Sequence, residues 1–499
     1  MLNKLPPPVL KYDIGDMPKL MGQIQKWSDR DKIPDIELKE VWAGRDAVLR
    51  VTEAFKLLGV APGSDILVVM DEVKYWRSGK SLKDDIVSIL RGADYAVETR
   101  ALKGDSYGIV HATFKEVEEI KALLSPSKSV LSIGSGAITD IAKHACFLYE
   151  QETGATSLPL VSLMTASTVG AYTSRMSIIS KDNVKRTWPS RTPDILIMDL
   201  QVLMDCPRHF SVAGAGDTMP VFCAFADWYF ADRMGMGSFL DASWRIVDDI
   251  KDLLIPYASE IARGTANGME VCGKCVLETG LCMTYARDSV PVSGYEHVIS
   301  HMLDMTANYD GRQTGIHGQQ VGIASVLSTL NLEFLIRKLD EVVSGRRNFK
   351  IDSCYPDTDI MRDRIMRIFH EIDTTGAMGA ECWKDYGIKL QGWRDARPKF
   401  ERFLDDWDEH KATLSELLPR SAAGCAKGLR ALGMPLKFDE LTYPVAEERG
   451  RWAFRNAMFM RKRLTAADVA FFMGFADEAW ENEIFAKYHE LIDLIKEGT

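Results

Sequence analysis

The stretch Ser129-Val130-Leu131-Ser132-Ile133-Gly134-Ser135-Gly136-Ala137-Ile138-Thr139-Asp140-Ile141-Ala142-Lys143 decides the fold class. A short run of apolar and small residues stops at a glycine, and a helix-length amphipathic segment, Ile138 to Tyr149, follows it. Strands buried on both faces read as continuous runs, because helices cover both sides of a parallel sheet. Glycines where a strand meets a helix let backbone approach a phosphate, and the free N–H groups at the helix start can bind it. Gly134, Ser135, Gly136 and Asp140 are therefore candidates for a nucleotide site. The spacing is not the usual G-x-G-x-x-G, since Thr139 stands where a third glycine would be, and a purely structural turn is the alternative.

The same pattern extends on both sides of this stretch. Asp65 to Met70 is an apolar run ending in Asp71-Glu72, Leu158 to Met164 ends at Thr165, and Ile195 to Met198 ends at Asp199. Helical candidates, Ser81 to Leu90 and Ile109 to Leu124, lie between them. The alternation predicts an α/β domain with a parallel, Rossmann-like sheet. Asp71, at the carboxyl end of its strand, suits a ribose hydroxyl pair or, alternatively, a helix N-cap. After about Cys206 the strand signals stop. Phe239 to Ile255, Val321 to Leu339, Asp359 to Ile372, Lys399 to Leu418 and Ala446 to Lys462 are all helix-compatible, and Thr465 to Asp468 has the form of a capping box. The expected organisation is an extension over 1–37 that packs on the body or frays, an α/β domain over 38–205, and an all-helical domain over 206–499.

The bulk properties narrow the function classes. The chain has 499 residues, a formal net charge of −10 and no basic stripe, which argues against nucleic acid or an anionic membrane as partner. No segment approaches the roughly 18 consecutive apolar residues of a membrane span. Residues 1–14 lack the apolar core of a signal peptide. Nine scattered cysteines are an odd number in a long chain, so no disulfide framework is expected. Cys272-Gly273-Lys274-Cys275 lacks a second pair at zinc-ribbon spacing and reads as ordinary thiols. A reduced, cytoplasmic protein acting on a small molecule is the expectation.

A second constellation could carry chemistry. Asp217 follows Gly214-Ala215-Gly216, His297 and His301 lie four apart and share a helix face, and His317 stands between Gly315 and Gly318. Two imidazoles and a carboxylate can bind a divalent transition metal with positions left open. From spacing alone the set is not specific, and histidines without metal are the favoured reading.

Taken in order, these motifs resemble the glycerol-1-phosphate dehydrogenase branch of the superfamily that also holds iron-containing alcohol dehydrogenases, glycerol dehydrogenase and dehydroquinate synthase. The resemblance runs from about Leu38 to Met473. Its pieces are Gly134 to Lys143, Thr165-Ala166-Ser167 with Thr173-Ser174, Pro193 to Asp199 leading to Pro207, and Ala213 to Asp217 with Ala226-Asp227-Trp228. Gly294 to His301, His317 to Gly322, Gly433-Met434-Pro435 and Arg461 to Thr465 complete it. It implies a dehydroquinate synthase-like fold, with a nucleotide-binding domain, a helical domain and a catalytic cleft between them. It implies that the glycine loop, Asp71, Thr165, Ser167 and Ser174 hold NAD, with NADP possible. It also implies that Asp217, His297 and His317 ligate one metal, zinc first, nickel or iron otherwise, with His301 as a supporting or proton-relay residue. Such an enzyme is expected to be homo-oligomeric.

Two positions depart from the family. Val169 replaces an Asp that binds substrate hydroxyls, and Val221 stands where the branch has Lys and the alcohol dehydrogenases a fourth ligand. One α-helical turn would set Val221 on the face of Asp217. An altered substrate follows, unless Arg175, Lys185 or Arg186 compensates. The alternatives are a dehydroquinate synthase-like cyclase that uses NAD transiently, and a non-catalytic relative.

Overall fold

The structure is a computed structural model, and it describes residues 5–106, 108–181, 184–347 and 349–497. Six strands form one sheet: β1 (Glu40–Gly44), β2 (Asp65–Asp71), β3 (Ala96–Leu102), β4 (Lys128–Gly134), β5 (Leu160–Met164) and β6 (Ile195–Asp199). Their order is β1-β6-β5-β4-β2-β3, and every neighbouring pair is parallel. Each of the four apolar runs is a strand. Along β2, Ile66 and Val68 enter one apolar cluster with Phe55, Ile86 and Leu131, while Leu67 and Val69 enter another with Val117, Ile141 and Ala145. Alternate residues of one run thus serve two helical layers, which is why the run must be apolar throughout.

The chain steps from β2 outward to β3, then crosses back so that β4 lies on the other side of β2. This reversal puts the topological switch point between β2 and β4. Because the strands are parallel, Asp71, Gly134 and Met164 all end at one edge of the sheet, with Met70 beside Ile133 and Gly134 beside Met164. Ligands of open α/β sheets bind in the crevice outside the strand ends at such a point.

Two compact units make up the chain: 1–218 with 241–289, and 219–240 with 290–499. The N-terminal segment packs on the first unit. Leu10, Tyr12, Ile14, Met17, Leu20 and Ile24 are buried, the Tyr12 N–H donates to Asp249 (2.8 Å), and Asp13 pairs with Lys274 (3.0 Å). In the second unit helices dominate, including Tyr295–Tyr309, His317–Val343 and Glu478–Glu497. The capping box forms: Thr465 and Asp468 bond reciprocally at the start of Ala466–Phe472. Among the described residues no helix is long and apolar enough to cross a membrane. All nine cysteines are free and buried, and burial pushes the Cys272 thiol up to about 12.

Several helices differ in extent from the sequence expectation. Ile109 to Thr113 is not helical, because the Thr113 side chain caps Phe114–Lys121. Lys399 to Leu418 is two helices broken at Asp406, and Phe239 to Ile255 yields only Asp241–Ile246 and Ile250–Leu253.

Candidate nucleotide and metal sites

The glycine loop leaves β4 and opens the 18-residue helix Gly136–Thr153. Ser135 makes no side-chain cap, so the first backbone N–H groups of this helix stay available to an anion. The buried hydroxyls of Thr165 and Ser167 make no hydrogen bond of full geometry inside the protein, as expected of groups waiting for a ligand. Open amides, with these two buried hydroxyls beside the Tyr75 phenol and the Cys272 thiol, fit a dinucleotide at a switch point.

The other expected nucleotide contacts are engaged internally. Asp71 accepts from the Val73 N–H (2.9 Å), the Tyr75 hydroxyl (3.1 Å) and the Lys83 ammonium (2.6 Å). Burial and the Asp71 charge push the Tyr75 phenol up, and burial pulls Lys83 down. Asp140 pairs with Lys143 (3.0 Å) and accepts from the Ile178 N–H (3.1 Å). Lys143 also donates to the carbonyls of Ala171, Ser174 and Met176, tying the helix to the hairpin of Met176–Lys181 and Val184–Pro189. Ser174 Oγ accepts from the Met176 N–H (3.1 Å). Asp140 and Ser174 therefore shape the loop from behind.

Val169 lies against the glycine loop. A Cβ on Gly136 would sit 2.4 Å from a Val169 methyl, so Gly136 makes room for this side chain. Val221 is fully buried, but α-helical geometry ends at Thr218 and Met219–Phe222 is a 3₁₀ turn, so one-turn spacing does not apply to it. Of the compensating cations, Arg175 is tied to Glu37 (3.0 Å) and the Asp35 carbonyl, Arg186 is exposed, and the side chain of Lys185 lies outside the described residues.

Asp217 occupies the last turn of the helix Arg208–Thr218. Gly214, one turn earlier, is forced: a Cβ there would lie 1.7 Å from the Ser167 carbonyl oxygen. His297 sits in the first turn of Tyr295–Tyr309, and His317 is the first residue of His317–Val343. The buried Asp227 fixes the start of the His297 helix. One oxygen accepts from the Tyr295 N–H (2.8 Å), the other from the Ala466 N–H (2.7 Å). Burial, with Glu296 nearby, pushes Asp227 up to about 8, against the pull of these two N–H bonds. Gly294 leaves space for both carboxylates: a Cβ would stand 2.6 Å from Asp227 and 3.0 Å from Glu296.

Each imidazole is contacted through Nδ1. Glu296 Oε1 lies 3.0 Å from His297 Nδ1 and accepts from the Gly294 N–H (2.6 Å). Ser300 Oγ lies 3.1 Å from His317 Nδ1 and donates to Gln320 Oε1 (2.8 Å). Gly315 makes room for Gln320, whose amide nitrogen would meet a Cβ there at 2.2 Å. The His301 ring stacks on that of His317, with centroids 5.7 Å apart. Among the described residues, Asp217, His297 and His317 are the group whose ligand atoms all lie within 4.8 Å of one another. This donor set fits a divalent transition metal. The supporting residues Glu296, Ser300 and Gln320 were not singled out from sequence; the glycines beside them were the available signal.

Residues 44–207 match the iron-containing alcohol dehydrogenase family. The chain is 24% identical to a glycerol-1-phosphate dehydrogenase [NAD(P)+] of Halalkalibacterium halodurans over 68% of this chain and 80% of that one. It is 32% identical to the Bacillus subtilis protein of the same name over 46% and 57%. In fold it is similar to a probable glycerol dehydrogenase from Sinorhizobium meliloti 1021 (TM-score 0.51, 14% identity, 89% and 97% covered) and to an alcohol dehydrogenase from Oenococcus oeni (0.50, 15%, 89% and 99%). The chain is thus similar in sequence to glycerol-1-phosphate dehydrogenases and, over residues 44–207, to the iron-containing alcohol dehydrogenases.

Proposed function

We propose that the chain is a metal-dependent, NAD(P)-linked dehydrogenase or reductase that moves hydride between nicotinamide and a small polyol, polyol phosphate or carbonyl compound. The observation that carries this reading is the approach of Asp217, His297 and His317 to within 4.8 Å. Three protein ligands with an open position are the pattern of a catalytic rather than a structural site. A bound divalent ion, zinc first with nickel or iron as the other candidates, supplies Lewis acidity to the substrate oxygen. The protein's own part is positional. The open amides after Gly134 hold the dinucleotide phosphates, the hydroxyls of Thr165 and Ser167 orient it, and Asp71 keeps acceptor capacity for the ribose. His301, stacked on His317, is placed to pass a proton. The nine buried thiols support a reducing, cytoplasmic setting. The cyclase alternative is not favoured, since the sequence relatives named above are dehydrogenases.

The substrate is read as different from that of the named relatives. Val169 offers methyl groups beside the glycine loop and Val221 is buried, so neither supplies a hydrogen bond or charge to a triose phosphate. The test is turnover of dihydroxyacetone phosphate and glycerol-1-phosphate against uncharged or bulkier aldehydes, ketones and polyols, with metal and either nicotinamide. The uncharged or bulkier set is expected to win. Efficient use of dihydroxyacetone phosphate would sink the altered-substrate reading, and no net change in NAD(P)H with any compound would sink the dehydrogenase reading.

A further inference from the structure

We infer that Glu296 and the Ser300–Gln320 pair are positioning residues that fix the tautomers of His297 and His317, and that Glu296 makes His297 the stronger metal donor of the two. The inference rests on the metal reading proposed above and goes beyond it, since it concerns groups that touch no metal.

The argument is one of proton accounting. Glu296 Oε1 accepts from the Gly294 N–H and lies 3.0 Å from His297 Nδ1, so it is placed to accept a ring proton carried on Nδ1. The lone pair of the ring is then on Nε2. The other partners of Glu296 have the same polarity: the Gly294 N–H donates to Oε1 and the Cys223 thiol to Oε2 (3.5 Å). For His317 the accounting runs through a hydroxyl. Ser300 has one proton and gives it to Gln320 Oε1 at 2.8 Å, so towards His317 Nδ1 it can only accept. His317 thus also carries its proton on Nδ1 and its lone pair on Nε2.

The two supports differ in charge. Behind His297 is a fully buried carboxylate, and behind His317 is a neutral hydroxyl–amide relay. A carboxylate partner raises the basicity of a ligating imidazole, and loss of such a partner commonly weakens metal binding about 10–100-fold. A neutral hydrogen bond contributes less, corresponding to about 2–10-fold. Glycines at 294 and 315 keep both supports close, since a Cβ at either would collide with the supporting side chain or its neighbours.

The experiment is chelator competition for zinc and cobalt on the full chain, comparing wild type with Glu296→Gln and Ser300→Ala, alongside the cobalt absorption spectrum and metal-free thermal stability. Gln keeps the shape and removes the charge. The expected result is about 10–100-fold weaker binding in Glu296→Gln and about 2–10-fold in Ser300→Ala, with a shifted cobalt spectrum and little change in metal-free stability. Affinity within twofold of wild type in both variants, with the spectrum unchanged, overturns the inference and leaves the metal reading standing. Wild-type protein that holds neither zinc nor cobalt overturns the metal reading itself. If Glu296→Gln does not fold, Ser300→Ala decides alone: unchanged affinity and spectrum there overturn the inference.

Discussion

The strand-end region and the histidine region use polar side chains in opposite ways. At the carboxyl edge of the sheet, Asp71, Asp140 and Ser174 are already bonded to the protein, and what is left to a ligand is backbone amides and the hydroxyls of Thr165 and Ser167, which make no hydrogen bond of full geometry. In the histidine region each ring of His297 and His317 has a support behind Nδ1. The first region is built to present backbone, which tolerates side-chain drift. The second presents particular ring atoms, which tolerates little. Substitutions should therefore be felt more sharply by chemistry in the histidine region and by stability or cofactor choice in the strand-end region.

The largest expected effect is removal of a ligand. His297→Ala, His317→Ala or Asp217→Asn should each abolish metal retention and lower kcat/KM at least about a thousandfold, the scale of several kcal/mol of lost transition-state stabilisation. Elemental analysis of the purified variants and steady-state kinetics check it. Unchanged metal content in both histidine variants would break the comparison at its root.

A glycine substitution tests the strand-end side through stability. Gly214→Ala places a methyl 1.7 Å from the Ser167 carbonyl oxygen, a backbone atom that cannot swing aside. A loss of about 1–3 kcal/mol or more is expected in denaturant unfolding. Gly22→Ala is the control: nothing lies within 4 Å of a Cβ there, it lies in the helix Met17–Ile24, and alanine should stabilise by about 0.5–1 kcal/mol. Equal effects in the two variants would show that close approach does not explain Gly214.

How much of this was readable in advance follows from burial. β2, β4, β5 and β6 are central strands, and their apolar runs announce them. β1 and β3 escaped because they are edge strands. Ala96–Leu102 exposes Glu98, Thr99 and Arg100, and Glu40–Gly44 has one fully buried residue, so neither makes a continuous run. The helix Lys399 to Leu418 was over-extended because an apolar period persists across the break at Asp406. The sequence of residues 1–37 allows packing or fraying, and among the described ones Tyr12 and Asp13 pack through contacts with Asp249 and Lys274 that no local pattern announces. At the site, Glu296, Ser300 and Gln320 could not be told from ordinary helix residues. Their roles depend on which ring atom another element brings to them.

Cofactor choice is a smaller effect. On the proposed nucleotide reading, Asp71 at the end of β2 would repel a 2′-phosphate, but the Lys83 ammonium 2.6 Å away offsets part of that charge. Wild type should prefer NAD only modestly. Asp71→Ala frees Lys83, so the ratio of NADP to NAD in kcat/KM should rise about tenfold, equivalent to about 1.4 kcal/mol. Steady-state kinetics with both cofactors measures it. Tighter NADP use by wild type with no gain in the variant would show that the 2′ position lies elsewhere.

The last contrast is between buried histidines. His144, on Gly136–Thr153, is 2% exposed, stacks on Phe147 and meets the edge of Phe114, and neither ring nitrogen makes a hydrogen bond of full geometry. Burial, with the Lys143 charge close by, holds its pKa down to about 4 against an ordinary value of 6.5. The sign follows from linkage. Between these two values the unfolded chain binds a proton that the folded chain refuses, so the stability is fully present above the upper value and is lost as pH falls towards the lower one. Going from about pH 7 to about pH 5 should cost about 1–2 kcal/mol through this residue, after allowance for partial solvent screening. His144→Phe keeps an aromatic ring between the two phenylalanines and removes the titration. Urea unfolding at both pH values should therefore show a shallower acid loss in the variant, by that amount. An identical loss in both proteins would mean that His144 is protonated in the folded state, and that this region, like the histidine region, supports its imidazole after all.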